Sequence, residues 1–254
     1  MTNFWNIVHE VIDRSDVLLE VLDARLPEMT RNPEVEAKVK SKGKKLILVL
    51  NKADLIGQQV AEQEKKRIGK EYPVVFVSTK EHQGTKLLRE AILGAANKET
   101  VMVGVLGYPN TGKSSIINVL KGRKSASTSS QSGHTKSIQK IRVTNRIMML
   151  DSPGVIPFEE KDELKHVLIG TIMFSDLDSP DVYALEVIKL CNSLNPKIIT
   201  TFYGIAESAD ADPFVQLEKI AEKRNLKAKG GVFDIERASR LVIQDWQVGK
   251  IKLC

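Results

Sequence analysis

The segment Gly107 to Ser115 has the residue types and spacing of a loop that binds phosphate groups. Gly107 and Gly112 allow the backbone to wrap closely around phosphate oxygens, so that main-chain N–H groups face the negative charge. Lys113 is placed to reach the outer phosphates of a nucleotide, and the Ser114 hydroxyl is placed to ligate Mg²⁺. The predicted nucleotide-binding residues of this segment are Asn110, Thr111, Gly112, Lys113, Ser114 and Ser115.

The sequence on either side of this loop supports the interpretation. The apolar run Val101 to Leu106 predicts a buried strand before the loop, and Ile116 to Leu120 predicts a helix after it. A glycine-rich match can also arise by chance in an ordinary loop. A strand before and a helix after is, however, the context that a phosphate loop requires.

A second motif, Asn51-Lys52-Ala53-Asp54, contains a candidate reader of the nucleotide base. It follows the apolar run Leu46 to Leu50, which places it at the carboxyl end of a strand, where ligands bind in open α/β sheets. The Asp54 carboxylate can accept hydrogen bonds from the N1–H and exocyclic amine of guanine, a donor pair that adenine lacks. We therefore expect selection of GTP over ATP, although the motif alone is equally compatible with a strand-ending turn. The companion loop is Ser78, Thr79 and Lys80.

Two further segments predict how a metal ion and the terminal phosphate are held. Asp151 follows the strand Ile147 to Leu150, where its carboxylate would hold Mg²⁺ through water while the Gly154 N–H meets the γ-phosphate. Thr135 lies between the two phosphate-binding segments and could close over the metal, although a threonine in a polar loop is usually only solvated. The predicted Mg²⁺ ligands are Ser114, Thr135 and Asp151, and the predicted catalytic residues are Lys113, Thr135 and Gly154.

The order of these motifs is permuted. A conventional GTPase has its phosphate loop first and its base-reading motifs last, whereas here the base-reading motifs come first. With this order the chain resembles the circularly permuted GTPases of the YlqF/RbgA ribosome-assembly group. Further matches to that group are Asp23-Ala24-Arg25, Arg31-Asn32-Pro33, Gly230-Gly231 and the segment from Trp246 to Ile251.

The chain departs from that group at two places. The group commonly opens with a Pro-Gly-His-Met segment, which this chain lacks, so no catalytic role is carried over to His9. Thr79 stands where alanine is usual, a mild change if the base is contacted by backbone N–H. The resemblance implies a GTP-hydrolysing switch with GTP or GDP and Mg²⁺ as its cofactors, and a ribosomal large-subunit particle and its rRNA as partners. It also implies K⁺ at Asn110.

Strands that alternate with helices predict an α/β fold with a mostly parallel sheet and helices on both faces. We expect a P-loop GTPase domain over residues 1–174 and a small all-helical domain over 175–254. The predicted strands are Val17–Leu22, Leu46–Leu50, Val74–Val77, Val101–Leu106 and Ile147–Leu150. The predicted helices cover residues 3–14, 33–40, 57–70, 84–93, 182–190 and 214–224, and a last helix after Asp234.

Composition narrows the class of protein. The 254 residues carry 42% hydrophobic residues and a net charge of +6, and there is no acidic residue between Glu99 and Asp151. That basic block is a candidate surface for RNA phosphates, although a charged run is usually only a solvated face. No apolar run is long enough to span a bilayer, and two cysteines do not form a disulfide framework. These features predict a soluble cytoplasmic protein, monomeric when free and with no membrane partner.

Three functions remain open from the sequence. The first is a GTPase switch in large-subunit assembly, in which movement at Asp151 to Gly154 passes directly into the carboxyl-terminal helices. The second is a GTP-dependent adaptor for a protein partner, and the third is a GTPase that assists RNA modification.

Overall fold

The computed structural model describes residues 4–96, 98–122, 138–153, 161–206 and 212–253. The chain divides into two compact units, Met1–Glu160 and Lys161–Cys254. None of the helices within the described ranges is long and apolar enough to cross a membrane.

The first unit is a sheet with helices. In chain order its elements are α1 (Phe4–Arg14), β1 (Val17–Asp23), α2 (Pro27–Thr30), α3 (Pro33–Ser41), β2 (Lys45–Asn51), α4 (Gln58–Ile68), β3 (Val74–Phe76), α5 (Thr85–Ala95), β4 (Val101–Leu106), α6 (Lys113–Lys121), β5 (Gln139–Arg142) and β6 (Ile147–Asp151). The six strands lie in the order β3-β2-β1-β4-β6-β5. Every neighbouring pair is parallel except β5 with β6, so the predicted mostly parallel sheet is confirmed.

Helices cover both faces of this sheet because strand side chains alternate between the faces. Val17, Leu19 and Val21 of β1 belong to a core that includes buried residues of α5 and α6. On the opposite face, Val11 of α1 and Leu18 of β1 approach Gly104 so closely that a Cβ at Gly104 would lie 2.7 Å from each side chain. Gly104 therefore lets α1 pack directly on β4, and the predicted helices on both faces are confirmed.

The second unit is helical. Its helices are α7 (Glu163–Leu168), α8 (Pro180–Leu194), α9 (Lys197–Tyr203), α10 (Pro213–Lys223) and α11 (Ile235–Gln247). Asp212 and Asp234 cap α10 and α11, because their carboxylates accept hydrogen bonds from backbone N–H groups of the first turn. Trp246 is fully buried, and its indole N–H donates to the Leu168 carbonyl at 2.8 Å.

The division between the units lies earlier in the chain than we expected. The sequence suggested a boundary between residues 174 and 175, whereas the second unit begins at Lys161. The physical reason is α7, which packs against α8 and α11. Gln247 of α11 also donates to the carbonyls of Val167 and Ile172, which ties this segment to the helical unit.

Candidate functional site

Four polar segments leave the sheet at the carboxyl ends of parallel strands. Asn51 ends β2, Ser78 follows β3, Gly107 follows β4 and Asp151 ends β6. Because neighbouring parallel strands present their carboxyl ends at one edge, the structure brings the described parts of all four predicted motifs to the same side of the sheet. Thr135 and Gly154 lie outside the described residues.

The loop between β4 and α6 has the left-handed backbone that its sequence predicts. Gly107 has φ of +137° and Gly112 has φ of +98°, and Asn110, which is exposed, also has a positive φ of 61°. A Cβ at Gly112 would lie 2.1 Å from the Asn51 amide nitrogen, and one at Gly107 would lie 2.5 Å from the Val21 carbonyl oxygen. Glycine is required at both positions by backbone conformation and by lack of space.

Lys113 is buried beneath this loop. Its ammonium donates to the Gly107 carbonyl at 3.0 Å and to the Tyr108 carbonyl at 2.7 Å. Burial lowers the pKa of Lys113 to about 8, while the charge of Asp151 acts in the opposite direction. The ammonium thus uses oxygens of its own loop as partners, and phosphate oxygens would offer it a full negative charge in their place.

Ser114 and Asp151 face each other across the start of α6 and the end of β6. The Ser114 hydroxyl lies 3.5 Å and 3.3 Å from the two carboxylate oxygens of Asp151. A hydroxyl and a carboxylate are the hard oxygen donors that Mg²⁺ prefers, so the pair fits that ion. Next along the chain, Ser152 is buried and donates to the Val105 carbonyl at 2.6 Å, which fixes the segment after β6 to β4.

Asn51 joins the base-reading side of the site to the phosphate loop. Its amide nitrogen donates to the Thr111 carbonyl at 2.8 Å, and its amide oxygen lies 3.4 Å from the Thr79 backbone nitrogen, which donates to it. The side chain is buried, so these bonds are sheltered from water. One residue therefore holds the loops after β2, β3 and β4 together.

Asp54 and Ser78 form the predicted base-reading pair. The buried Ser78 hydroxyl donates to the Asp54 carboxylate at 2.6 Å and accepts a hydrogen bond from the Glu81 backbone N–H at 3.0 Å. Asp54 itself is half-buried, and the neighbouring Lys80 is exposed. The carboxylate is thus oriented by the protein before any base is present.

A buried ion cluster beside this pair was not predicted from the sequence. Asp23, at the end of β1, is matched with Asn51 in the parallel register. Its carboxylate accepts from the Arg25 guanidinium at 2.8 Å and 3.1 Å and from the Lys52 ammonium at 2.8 Å. The only sequence signal was the match of Asp23-Ala24-Arg25 to the resembled group, which carried no role for these residues.

A second buried carboxyl group lies behind the phosphate loop. Glu20 of β1 lines a cavity of about 20 Å³ together with Tyr108, Ser152 and Pro153. The Asn32 backbone N–H donates to Glu20 at 2.8 Å. Burial raises the pKa of Glu20 well above its ordinary value, and the charge of the neighbouring Glu36 adds to this increase. The Glu20 carboxyl group therefore holds its proton to a higher pH than an exposed glutamate does.

This chain is similar in sequence to known GTP-binding proteins. A family model described as 50S ribosome-binding GTPase matches residues 102–200. The chain is 43% identical over 249 residues to the uncharacterized GTP-binding protein MJ1464 of Methanocaldococcus jannaschii, which covers 96% of this chain and 65% of that protein. It is 35% identical over 257 residues to nucleolar GTP-binding protein 2 of Pneumocystis carinii, which covers 97% of this chain and 52% of that protein. The chain thus spans 65% and 52% of the length of these two curated relatives.

Two solved structures of YlqF match nearly the whole chain. GDP-bound YlqF has a TM-score of 0.67 and 26% sequence identity, and the match covers 96% of this chain and 95% of YlqF. GNP-bound YlqF from T. maritima has the same TM-score of 0.67 with 24% identity, and covers 98% of this chain and 95% of YlqF. The likeness therefore includes both units of the chain.

Proposed function

Because this chain belongs to the circularly permuted GTPases represented by YlqF, we propose that it binds GTP and GDP, hydrolyses GTP and acts in assembly of the large ribosomal subunit. The observation that carries this proposal is the gathering of permuted phosphate-loop and base-reading segments at one sheet edge, with Asn51 bonded to Thr111 between them. Nucleotide state would set the affinity of the protein for the ribosomal particle.

Each site residue has a role in this proposal. Asp54 accepts from guanine, with Asn51, Lys52, Ser78, Thr79 and Lys80 around the base. Lys113 and the backbone of Thr111 to Ser115 hold the phosphates, and Gly154 meets the γ-phosphate. Ser114, Thr135 and Asp151 hold Mg²⁺, which when bound neutralises charge that develops on the phosphate oxygens during transfer.

We propose that hydrolysis is slow and depends on potassium. Many GTPases place a water-orienting glutamine directly after Asp-x-x-Gly, whereas this chain has Val155, which has no group that can orient water. Asn110 occupies the loop position at which the resembled group uses asparagine to ligate K⁺. Hydrolysis rates in matched KCl and NaCl test this proposal. Equal rates, or a potassium effect that survives Asn110→Ala, would contradict it.

We propose that the basic block around β5 contacts rRNA. Lys140 and Arg142 are exposed on β5, within the acid-free part of the sequence. Co-sedimentation with large-subunit precursor particles should be stronger with a non-hydrolysable GTP analogue than with GDP, and weaker at high salt. Lys140→Glu combined with Arg142→Glu should reduce it, while the matched pair Lys65→Glu and Lys66→Glu on α4 should not. Nucleotide-independent binding would contradict the switch.

We also propose that nucleotide state is coupled to the helical unit. The chain runs from Asp151 directly into residues 155 to 175, so a change at Asp151 to Gly154 reaches those residues first. Hydrogen exchange should differ between GDP and GTP-analogue states in residues 155–254. Unchanged protection throughout that range would leave the coupling without support.

The partner and compartment follow from the proposed activity. A pull-down with a GTP analogue should recover rRNA and ribosomal proteins. Recovery of one protein would favour an adaptor, and recovery of tRNA would favour a role in RNA modification. We propose that the protein is monomeric when free and works in the cytoplasm. The name of the fungal relative, nucleolar GTP-binding protein 2, points to the nucleolus for a nucleated cell.

A further inference from the structure

The buried carboxylate of Asp23 has two cationic partners, Arg25 and Lys52, although one cation is enough to neutralise its charge. Arg25 satisfies both oxygens by donating from Nε to Oδ1 at 3.1 Å and from Nη2 to Oδ2 at 2.8 Å, and its backbone N–H adds a bond to Oδ1 at 3.0 Å. Both side chains are 1% exposed. A buried ion pair is complete at this point. Lys52 nevertheless donates to the same carboxylate at 2.8 Å.

Lys52 is held in an unusual backbone conformation. Its φ of 61° and ψ of 33° are left-handed, a conformation that costs a residue with a Cβ free energy. Its flanking residues, Asn51 and Ala53, are fixed by hydrogen bonds to Thr111 and Val77. The Lys52 side chain is 23% exposed, and Lys52 lies two residues before Asp54 in the segment that follows β2.

We propose that Asp23 is a positioning residue for the guanine nucleotide, because it anchors the Lys52 ammonium so that the Lys52 side chain forms a fixed wall of the base site. This inference rests on the nucleotide-binding function proposed above. Asp23 does not touch the nucleotide and acts through Lys52. Arg25 keeps the buried carboxylate ionised, so that the anchor is a full negative charge.

The charge of the cluster agrees with this role. One carboxylate faces two cations, Arg25 and Lys52, so the second cation is not needed to neutralise the buried Asp23 carboxylate. A pair that served only to stabilise the fold would need a single cation. The second cation is also the one that lies within the Asn-Lys-x-Asp motif.

A double-mutant cycle tests the inference on the full chain. Asp23→Asn and Lys52→Met should each weaken binding of fluorescent mant-GDP about tenfold, and the double variant should bind within about twofold of Lys52→Met alone. Asp16→Asn is the matched control, since Asp16 pairs with Lys98 at the opposite end of β1 and should leave the affinity unchanged. Additive losses, or wild-type affinity in Asp23→Asn, would overturn the inference.

A second pair of variants decides the question if Asp23→Asn does not fold. Lys52→Arg can still reach Asp23 and should retain mant-GDP affinity within about threefold of wild type, whereas Lys52→Met should lose about tenfold. Equal affinities of these two variants would overturn the inference. Failure of the wild-type chain to bind mant-GDP would instead contradict the proposed function, which keeps the two failures distinct.

Discussion

On the base-reading side of the site, Ser78 donates to Asp54 at 2.6 Å and Lys52 to Asp23 at 2.8 Å. On the phosphate-binding side, Ser114 approaches Asp151 no closer than 3.3 Å, and Lys113 donates to carbonyls of its own loop. On the base-reading side, the Ser78–Asp54 and Lys52–Asp23 hydrogen bonds would remain when guanine binds. If Lys113 binds phosphate as proposed, its ammonium must exchange these carbonyl partners when a nucleotide enters. We therefore expect base selection to be preorganised and phosphate binding to require rearrangement.

The largest effect should come from the preorganised side. In Asp54→Asn the amide presents a donor to the guanine N1–H and amine, so the affinity for GTP should fall by about a hundredfold or more. The variant should favour xanthosine triphosphate, whose base offers the complementary pattern. Competitive binding of the two nucleotides measures this change, with Asp16→Asn as the control. Equal GTP affinity of variant and wild type would remove Asp54 as the base reader.

Gly112→Ala should damage the connection between the two sides. The new Cβ would meet the Asn51 amide at 2.1 Å, and the φ of +98° is strained for alanine. We expect guanine nucleotide affinity about tenfold or more below wild type, because the bond from Asn51 to Thr111 must break. Gly94→Ala is the matched control, since a Cβ there has no neighbour within 4 Å. If the two variants bind GDP equally, Asn51 does not couple the sides.

Both the stability of the protein and its affinity for GDP should depend on pH through the ionisation of Lys113. The ordinary pKa of lysine is 10.5, and burial lowers that of Lys113 to about 8. Above pH 8 the unfolded chain binds a proton that the folded chain has lost, so the stability of the nucleotide-free protein should rise with pH. Affinity for GDP should fall about fivefold from pH 8 to pH 9, since binding uses the ammonium.

Urea unfolding and mant-GDP titration between pH 7 and 9 measure both trends. The rise in stability should be absent in Lys113→Met and retained in Lys86→Met, because the Lys86 side chain is 90% exposed. A GDP affinity that stays constant across this range would show that Lys113 does not bind phosphate as an ammonium. The contrast between the two sides of the site would then be lost.

The smallest expected effect is a change in the free energy of unfolding when Glu20, which lies behind the phosphate loop, is replaced. Burial raises the pKa of Glu20 above its ordinary value of 4.5, so the folded chain keeps a proton that the unfolded chain loses as pH rises. Glu20→Gln removes this cost and should be more stable than wild type at pH 7 but not at pH 4. The exposed Glu34→Gln is the control, and urea unfolding measures both. A less stable Glu20→Gln protein at pH 7 would contradict a raised pKa of Glu20.

Hydrophobic patterns in the sequence predicted the buried strands of the sheet but not its edge strand β5. The run Val101–Leu106 gave β4 with its observed bounds, because a strand covered on both faces is continuously apolar. The edge strand β5, Gln139–Arg142, was missed because three of its four side chains are exposed and it has no apolar run. Helix α7 was missed for a related reason, since six residues are too few to show a helical period.

The residues of the candidate site could be predicted, but their contacts could not. The sequence motifs predicted that Asn51 and Thr111 belong to one site. They did not predict the hydrogen bond between these residues, which lie 60 positions apart in the chain. The position of the Lys113 ammonium depends on which carbonyls the folded loop presents. The pairing of Asp23 with Lys52 depends on strand register, which a motif does not contain. The roles of these residues in binding and hydrolysis remain predictions.

The strand order also determines when the site can form during synthesis. Strands β1, β2 and β3 lie next to one another and come from residues 17–76, whereas β4 and β6 come from residues 101–151. A chain emerging from the ribosome can therefore pair the strands that precede Asp54 and Ser78 before Lys113 has been translated. If Lys113 and Asp151 hold phosphate and Mg²⁺ as proposed, a nucleotide would be retained only after Asp151 has been translated. Capture of nucleotide would then report that the sheet is complete.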